Sequence, residues 1–172
     1  QMLSFDTSSV TNMDSLFNAA ATFNQPLGFD TSRVANMRAM FDGTSAFNEA
    51  LTFDTNLVTD VRWMFQNALV FDQPLSLDTS SVTSMVSMLA SARSFNHPLV
   101  FDTSNVADMS LMFFGAVAFD QPLDFDVSSV TDMTTMFLGA TSLSDCNKRA
   151  IEDSLSASTA WAAAGYNWST SL

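Results

Sequence analysis

The stretch FDTSSVTNMDSLF, Phe5–Phe17, is written again as FDTSRVANMRAMF at Phe29–Phe41. Equivalent openings follow at Phe53, Leu77, Phe101 and Phe125, a 24-residue period with no insertion or deletion between six copies. An insertion would push every later side chain out of register with its neighbours, so strict spacing means that each copy is one coil of a stacked repeat. All 172 residues then belong to one rod-like unit.

Columns taken across the copies separate inside from outside. Val10, Val34, Val58, Val82, Val106 and Val130 form one apolar column; Met13, Met37, Val61, Met85, Met109 and Met133 form the next. Leu16 and Phe17 head two more, and Ala20 a third. Every Phe but Phe114, and every Met but Met2, falls in a column. Such regularity reads as core packing rather than as a Met-rich binding groove.

The spacing Met13, Leu16, Phe17, Ala20 matches one face of a helix, with Thr11 and Asp14 as a capping box and Gly43, Gly115 and Gly139 as stops. In QPLGFD, Leu27 and Phe29 alternate with polar or small residues, the period of a half-buried strand, and Pro26, Pro74, Pro98 and Pro122 stand at strand starts. Phe23, Phe47, Phe71, Phe95 and Phe119 fill the corner between them. These readings predict an α/β fold: a leucine-rich-repeat solenoid of six 24-residue coils over residues 1–143. It carries a short parallel sheet on one side, short helices on the other, and a C-terminal helical cap over residues 144–172. In that cap Ser144 or Asp145 starts a helix whose apolar side is Ala150, Ile151, Leu155 and Trp161, Gly165 ends it, and Cys146 reads as a buried thiol. The chain starts in mid-coil, which predicts an open first end, truncated or docked on something else.

The column pattern F-N-Q-P-L-x-F-D-T-S-x-V-x-x-M-x-x-M-F-x-x-A resembles the BspA-type leucine-rich repeats of bacterial and protist surface proteins, including the repeat domain of mycoplasma lipoproteins. It departs mainly in placing Phe where that family often has Trp. The resemblance implies a secreted or surface-displayed module for adhesion or protein binding, and it names no ligand.

The polar columns carry alternatives. Asp6, Asp30, Asp54, Asp78, Asp102 and Asp126 place a carboxylate in every coil. Each either closes an Asx turn or belongs to an acidic ladder for Ca²⁺ or a basic partner. Asn24, Asn48, Asp72, Asn96 and Asp120 form a second ladder suited to turn backbone. Thr7, Thr31, Thr55, Thr79 and Thr103 make a hydroxyl row that serves either local hydrogen bonds or an ice-binding face.

Reactive chemistry is scarce. His97 sits in a column of Gln25, Glu49, Gln73 and Gln121, and Cys146 is the single cysteine. No nucleotide loop, nucleophile elbow or HExxH pattern occurs. The reading is therefore of a protein that is no enzyme and holds no cofactor. Eighteen acidic against six basic residues give −12, which disfavours nucleic acid and anionic membrane. No apolar run is long enough to span a bilayer. One glycosylation sequon, Asn167-Trp168-Ser169, is present.

The columns break at Trp63, Leu69, Val70, Val86, Leu111, Phe114 and Val117, apolar residues that a regular repeat does not need. They are either scattered surface residues or a contact patch for another protein on the convex side of coils three to five. Three functions follow: a non-catalytic binding or adhesion module outside the cell, a structural or linker subunit of a larger assembly, and an ice-binding rod.

Overall fold

The computed structural model describes residues 2–168; Ser169, the last position of the sequon, and the three residues after it lie outside this range. Six coils stack in parallel register. Isolated bridges pair Asn12 with Asn36, Asn36 with Asp60, Asp60 with Ser84, Ser84 with Asp108, and Asp108 with Asp132.

The coils carry neither the expected helices nor the expected sheet. Among the described residues the α-helices are α1, Asp145–Leu155, and α2, Thr159–Ala163, both after the last coil. Where a helix was expected, the backbone makes successive tight turns. Leu16 N–H donates to Met13 O, Asn18 to Ser15 O, and Ala20 to Phe17 O, each three residues back. The alternate N–H groups point out of the coil: Met13 donates to Asn36 O, Ser15 to Arg38 O, Phe17 to Met40 O and Ala19 to Asp42 O. A helix capped at Thr11 would have spent the Ser15, Phe17 and Ala19 donors inside its own coil. Turns divide them, so the backbone itself ties one coil to the next.

The turns bring the same residues inward that a helix would have, which is why helical spacing misled. Met37, Met40 and Phe41 are fully buried, as are Met64 and Phe65 one coil later. The difference lies in backbone sign. Ser15, Ala39, Trp63, Ser87, Leu111 and Thr135 all have φ between 51° and 60°, the sign that a type II turn requires at its third residue. Four residues on, Ala19, Gly43, Asn67, Ser91, Gly115 and Gly139 are positive again. The glycines read as helix stops thus serve turns. Gly139 also allows close stacking, because a Cβ there would lie 3.3 Å from Gly115 Cα. Thr11 caps no helix; its carbonyl accepts from Ala35 N–H at 2.9 Å.

On the opposite edge the alternation holds while the ladder does not. Leu75, Leu77, Leu99, Phe101, Leu123 and Phe125 are buried. Yet Leu3 with Leu27 is the one bridge on that edge among the described residues. Two causes are visible. Proline opens four of these segments and brings no N–H. The coils also fan apart toward this side. Ring centroids are 5.4–5.6 Å apart in the Phe17 column, 5.8–6.3 Å in the Phe23 column, and 6.3–6.4 Å in the Phe29 column, where the Phe5 and Phe29 rings are tilted and the Phe101 and Phe125 rings stacked. The α/β assignment is accordingly replaced by a stack of turn-rich coils.

After the last coil, α1 is capped by Ser144, whose hydroxyl accepts from Asn147 N–H, and α2 by Ser158. Ile151, Leu155, Ala160 and Trp161 are buried against the stack. The chain makes two helices here instead of one, and Cys146 is exposed, not buried. Trp161, Tyr166 and Trp168 meet the Phe137 ring at 5.5–6.2 Å with steep interplanar angles, which ends the Phe column.

Candidate partner face

The polar columns are consumed by the stack. Asp6 Oδ1 accepts from Ser8 N–H at 3.1 Å and Ser8 Oγ at 2.7 Å. Asp30, Asp54, Asp78, Asp102 and Asp126 each accept the N–H two residues ahead in the same way. The serine hydroxyl, then its N–H, hold Asp6, Asp30, Asp78, Asp102 and Asp126 below the usual carboxylate range. The acidic ladder is thus a row of Asx turns. No cluster of three metal-ligating side chains occurs among the described residues.

The other two rows are spent between coils. Thr31, Thr55, Thr79 and Thr103 are 1–4 % exposed. Their hydroxyls, with that of Thr7, donate to the carbonyl of the aspartate one coil on, at 2.8–3.0 Å. This row leaves no open hydroxyl face. Asn24 Oδ1 accepts Asn48 N–H, Asn48 accepts Asp72, Asp72 accepts Asn96, and Asn96 accepts Asp120, at 2.9–3.0 Å. The line ends where Asp120 Oδ1 takes Ser144 N–H and Oγ, both at 2.8 Å, so it fastens α1 to the stack. A third Asx row, at Asn12, Asn36, Asp60, Asp108 and Asp132, escaped the sequence reading. Asn or Asp two residues before each turn was its signal.

The off-column apolar residues divide. Phe114, Val117 and Val70 are 37 %, 42 % and 44 % exposed, whereas Trp63, Leu69, Val86 and Leu111 are half-buried. Trp63 and Val86 adjoin through a Trp63 N–H to Val86 O bond of 3.0 Å. Leu69, Val70 and Val117 lie at the next corner, where Ser94 Oγ donates to Leu69 O and Ser142 N–H to Val117 O. Leu138, 57 % exposed and one coil beyond Phe114, extends the apolar surface and was missed. Its column runs Asn18, Asp42, Gln66, Ala90, Phe114, Leu138, turning apolar only at the end. Val100 and Leu57, also exposed, lie in other columns.

Trp63 has an electrostatic setting that its column alone did not disclose. Arg38 Cζ lies 4.5 Å and Arg62 Cζ 5.5 Å from its ring centre, within cation–π range. Arg62 forks onto Asp60, with Nε at 3.0 Å from one oxygen and a terminal nitrogen at 2.6 Å from the other. Burial pushes Asp60 up, but the Arg62 hydrogen bonds outweigh it and leave the carboxyl lowered. Arg38 reaches Asp14 at 3.5 Å, and its Nε is buried without a partner among the described residues. The indole is thus held flat by two guanidiniums that acidic neighbours fix in place, on a backbone with φ of 59°. His97 approaches the Asp72 carbonyl at 3.1 Å and performs turn bonding.

Among the described residues no helix is long and apolar enough to cross a membrane. No match is found among curated proteins or among solved structures. A family profile does match, over residues 1–99 and 76–164. The chain therefore belongs to the DUF285 family, described as Mycoplasma protein of unknown function.

Proposed function

We propose that the chain is a non-catalytic module of a secreted or cell-surface protein that binds another protein through the turn edge around Trp63. The observation that carries this is Trp63 itself. A large aromatic stands in a positive-φ column of mostly small residues, clamped by Arg38 and Arg62, while the core fills without it. Backbone strain of this kind is retained where the surroundings use it, and Trp and Arg together are the residues richest in binding energy at interfaces. Kinship with BspA-type repeats is proposed on the column pattern and agrees with a mycoplasma family, without the helix-and-sheet coil.

The test is binding of labelled chain to intact cells and to immobilised extracellular proteins, with wild type beside a Trp63→Ser/Phe114→Ser variant. Loss of binding by about tenfold or more, with an unchanged melting temperature, supports the reading. Equal binding by both removes this edge from consideration.

A structural or linker role draws support from the apolar residues exposed elsewhere, with Val100 at 92 % and Leu57 at 52 %. Sedimentation separates the readings: a monodisperse monomer at tens of micromolar argues for the displayed module, and concentration-dependent association for the assembly subunit. The buried Thr row gives the ice-binding alternative nothing to rest on.

A further inference from the structure

At every junction between coils, three N–H groups of one coil meet three carbonyls of the next. In the first they are Ser15, Phe17 and Ala19, donating to Arg38, Met40 and Asp42; in the last they are Leu111, Phe113 and Gly115, donating to Thr134, Met136 and Leu138. These bonds measure 2.6–3.0 Å at all five junctions. The sixth coil has the same three donors, Thr135, Phe137 and Gly139, with the same backbone signs at Thr135 and Gly139. Only the middle one is satisfied, and not by a carbonyl: Phe137 N–H donates to the Tyr166 hydroxyl at 2.8 Å. Among the described residues Thr135 and Gly139 N–H have no acceptor. An unpaired backbone donor is costly wherever water cannot replace the lost bond. Both residues line a cleft of about 390 Å³ whose other walls include exposed Leu138 and half-buried Tyr166 and Trp168.

We infer that this edge is a peptide-binding site. A turn-forming segment of another polypeptide lays three main-chain carbonyls on Thr135, Phe137 and Gly139, and displaces the Tyr166 hydroxyl that stands in for the middle one. The geometry of the required partner is already present in the stack, since Arg38, Met40 and Asp42 show how carbonyls two residues apart meet this edge. Recognition is by main chain, with the ligand taking the tight-turn backbone of one more coil where sheet-edge addition would use a strand. One apolar side chain of the ligand packs between Leu138 and the Trp168 ring. Tyr166 keeps the middle donor satisfied while the site is empty, and its hydroxyl competes with the ligand. This deepens the binding reading by naming a site and a partner chemistry apart from the Trp63 edge.

The probe is a blocked synthetic peptide of residues 35–43, ANMRAMFDG, titrated to about 2 mM into the full chain, with amide hydrogen exchange read residue by residue. Exchange at Thr135 and Gly139 should slow by about tenfold or more, while Phe137 stays protected as its acceptor changes. Tyr166→Phe keeps the ring and removes the competing oxygen, so it should bind the peptide about tenfold more tightly. In that variant Phe137 should exchange fast when free and slowly when bound. No protection of Thr135 and Gly139 in either protein overturns the assignment. So do shifts confined to residues 12–18 at the other end, weaker binding by Tyr166→Phe, or undiminished binding by Leu138→Glu, an exposed position where a charge would meet the ligand. Partner binding that depends on Trp63 without these amide effects would leave the Trp63 reading intact and defeat this one alone.

Discussion

The two long edges of the stack are each lined by columns of apolar residues and are held by different forces. On the turn edge, backbone bonds cross every junction and the Phe17 column stacks at 5.4–5.6 Å. On the Leu27–Phe29 edge, one bridge spans the first junction and the rings stand 6.3–6.4 Å apart. The difference teaches that alternating apolar residues specify which face is buried, and no more. Whether neighbouring segments also share hydrogen bonds depends on which donors survive and on how closely the coils can approach.

The largest effects should come from breaking the tight edge. Phe65 is fully buried, stacked 5.4 Å from Phe41 and 4.3 Å from Phe71. Phe65→Ala removes that packing and leaves a void that bonded coils cannot close, costing about 3–5 kcal/mol. Leu99→Ala, on the looser edge and 7 % exposed, should cost about 2–3 kcal/mol because coils without shared backbone bonds can settle inward. Urea denaturation of both variants measures the contrast, and an equal loss would dissolve it.

Glycine substitutions sharpen the same comparison at a smaller scale. Gly115 has φ of 65°, and a Cβ there would sit 3.3 Å from Ser91 Oγ. Gly115→Val adds a branched side chain in a left-handed conformation and should cost about 2–3 kcal/mol. At Gly28, on the open edge, a Cβ would press on the flexible Met2 side chain, with Sδ at 2.8 Å, and make ordinary contact with Ser4 Cβ at 3.8 Å. Gly28→Ala should therefore change stability by less than about 1 kcal/mol in the same urea experiment.

How much of this the sequence disclosed follows from what each residue type specifies. The period and the buried columns were legible, because Val34, Met37 and Phe41 have no other use than the interior. The Asx role of the Asp6 column was one of two readings and is the one the hydrogen bonds bear out. Helix and tight turns were not separable by spacing, since both bring Met13, Phe17 and Ala20 to one side. Composition carried the missing clue. Segments of about eight residues are too short to hold a helix by themselves, and their Gly, Ser, Asn and Asp favour turns. The Arg38–Trp63–Arg62 stack was invisible because Arg38 and Arg62 repeat one column a coil apart while Trp63 interrupts the next column, so neither column alone shows that they meet. The free donors at Thr135 and Gly139 belong to backbone, which no side-chain column reports.

At the end of the bonded edge the Tyr166 hydroxyl stands in for a whole coil. Tyr166→Phe leaves the aromatic contact with Phe137 and strands its N–H, which should cost about 1–2 kcal/mol. Burial raises the Tyr166 phenol above its ordinary value, with the Phe137 N–H acting the other way. A group raised in the folded state contributes stability that is complete below its unfolded value and fades as pH rises through the folded one. Wild type should hence lose stability above about pH 10. Tyr166→Phe should lack this tyrosine contribution, so thermal melts of both proteins across that range would isolate it.

The smallest effects belong to the Asp6 column, which lies between the two edges and tests whether the turns joining them are independent units. Asp78 and Asp102 are each held low by a serine hydroxyl, at 2.6 Å in both cases, and then by the serine N–H. Carboxyls depressed on folding contribute stability that is present above their unfolded value and is lost as pH falls through the folded one. The stack should accordingly be insensitive to these groups from neutrality to about pH 4 and weaken below it. Ser80→Ala deletes the hydroxyl from Asp78, so its titration midpoint, followed by NMR at the carboxyl carbon, should rise toward the ordinary value. The Asp102 midpoint should stay where it was, because its own serine is untouched and a neighbour about 5 Å away in water contributes little. If Asp102 moved with Asp78, the column would be a coupled acidic ladder, and the turns between the edges would act as one unit instead of six.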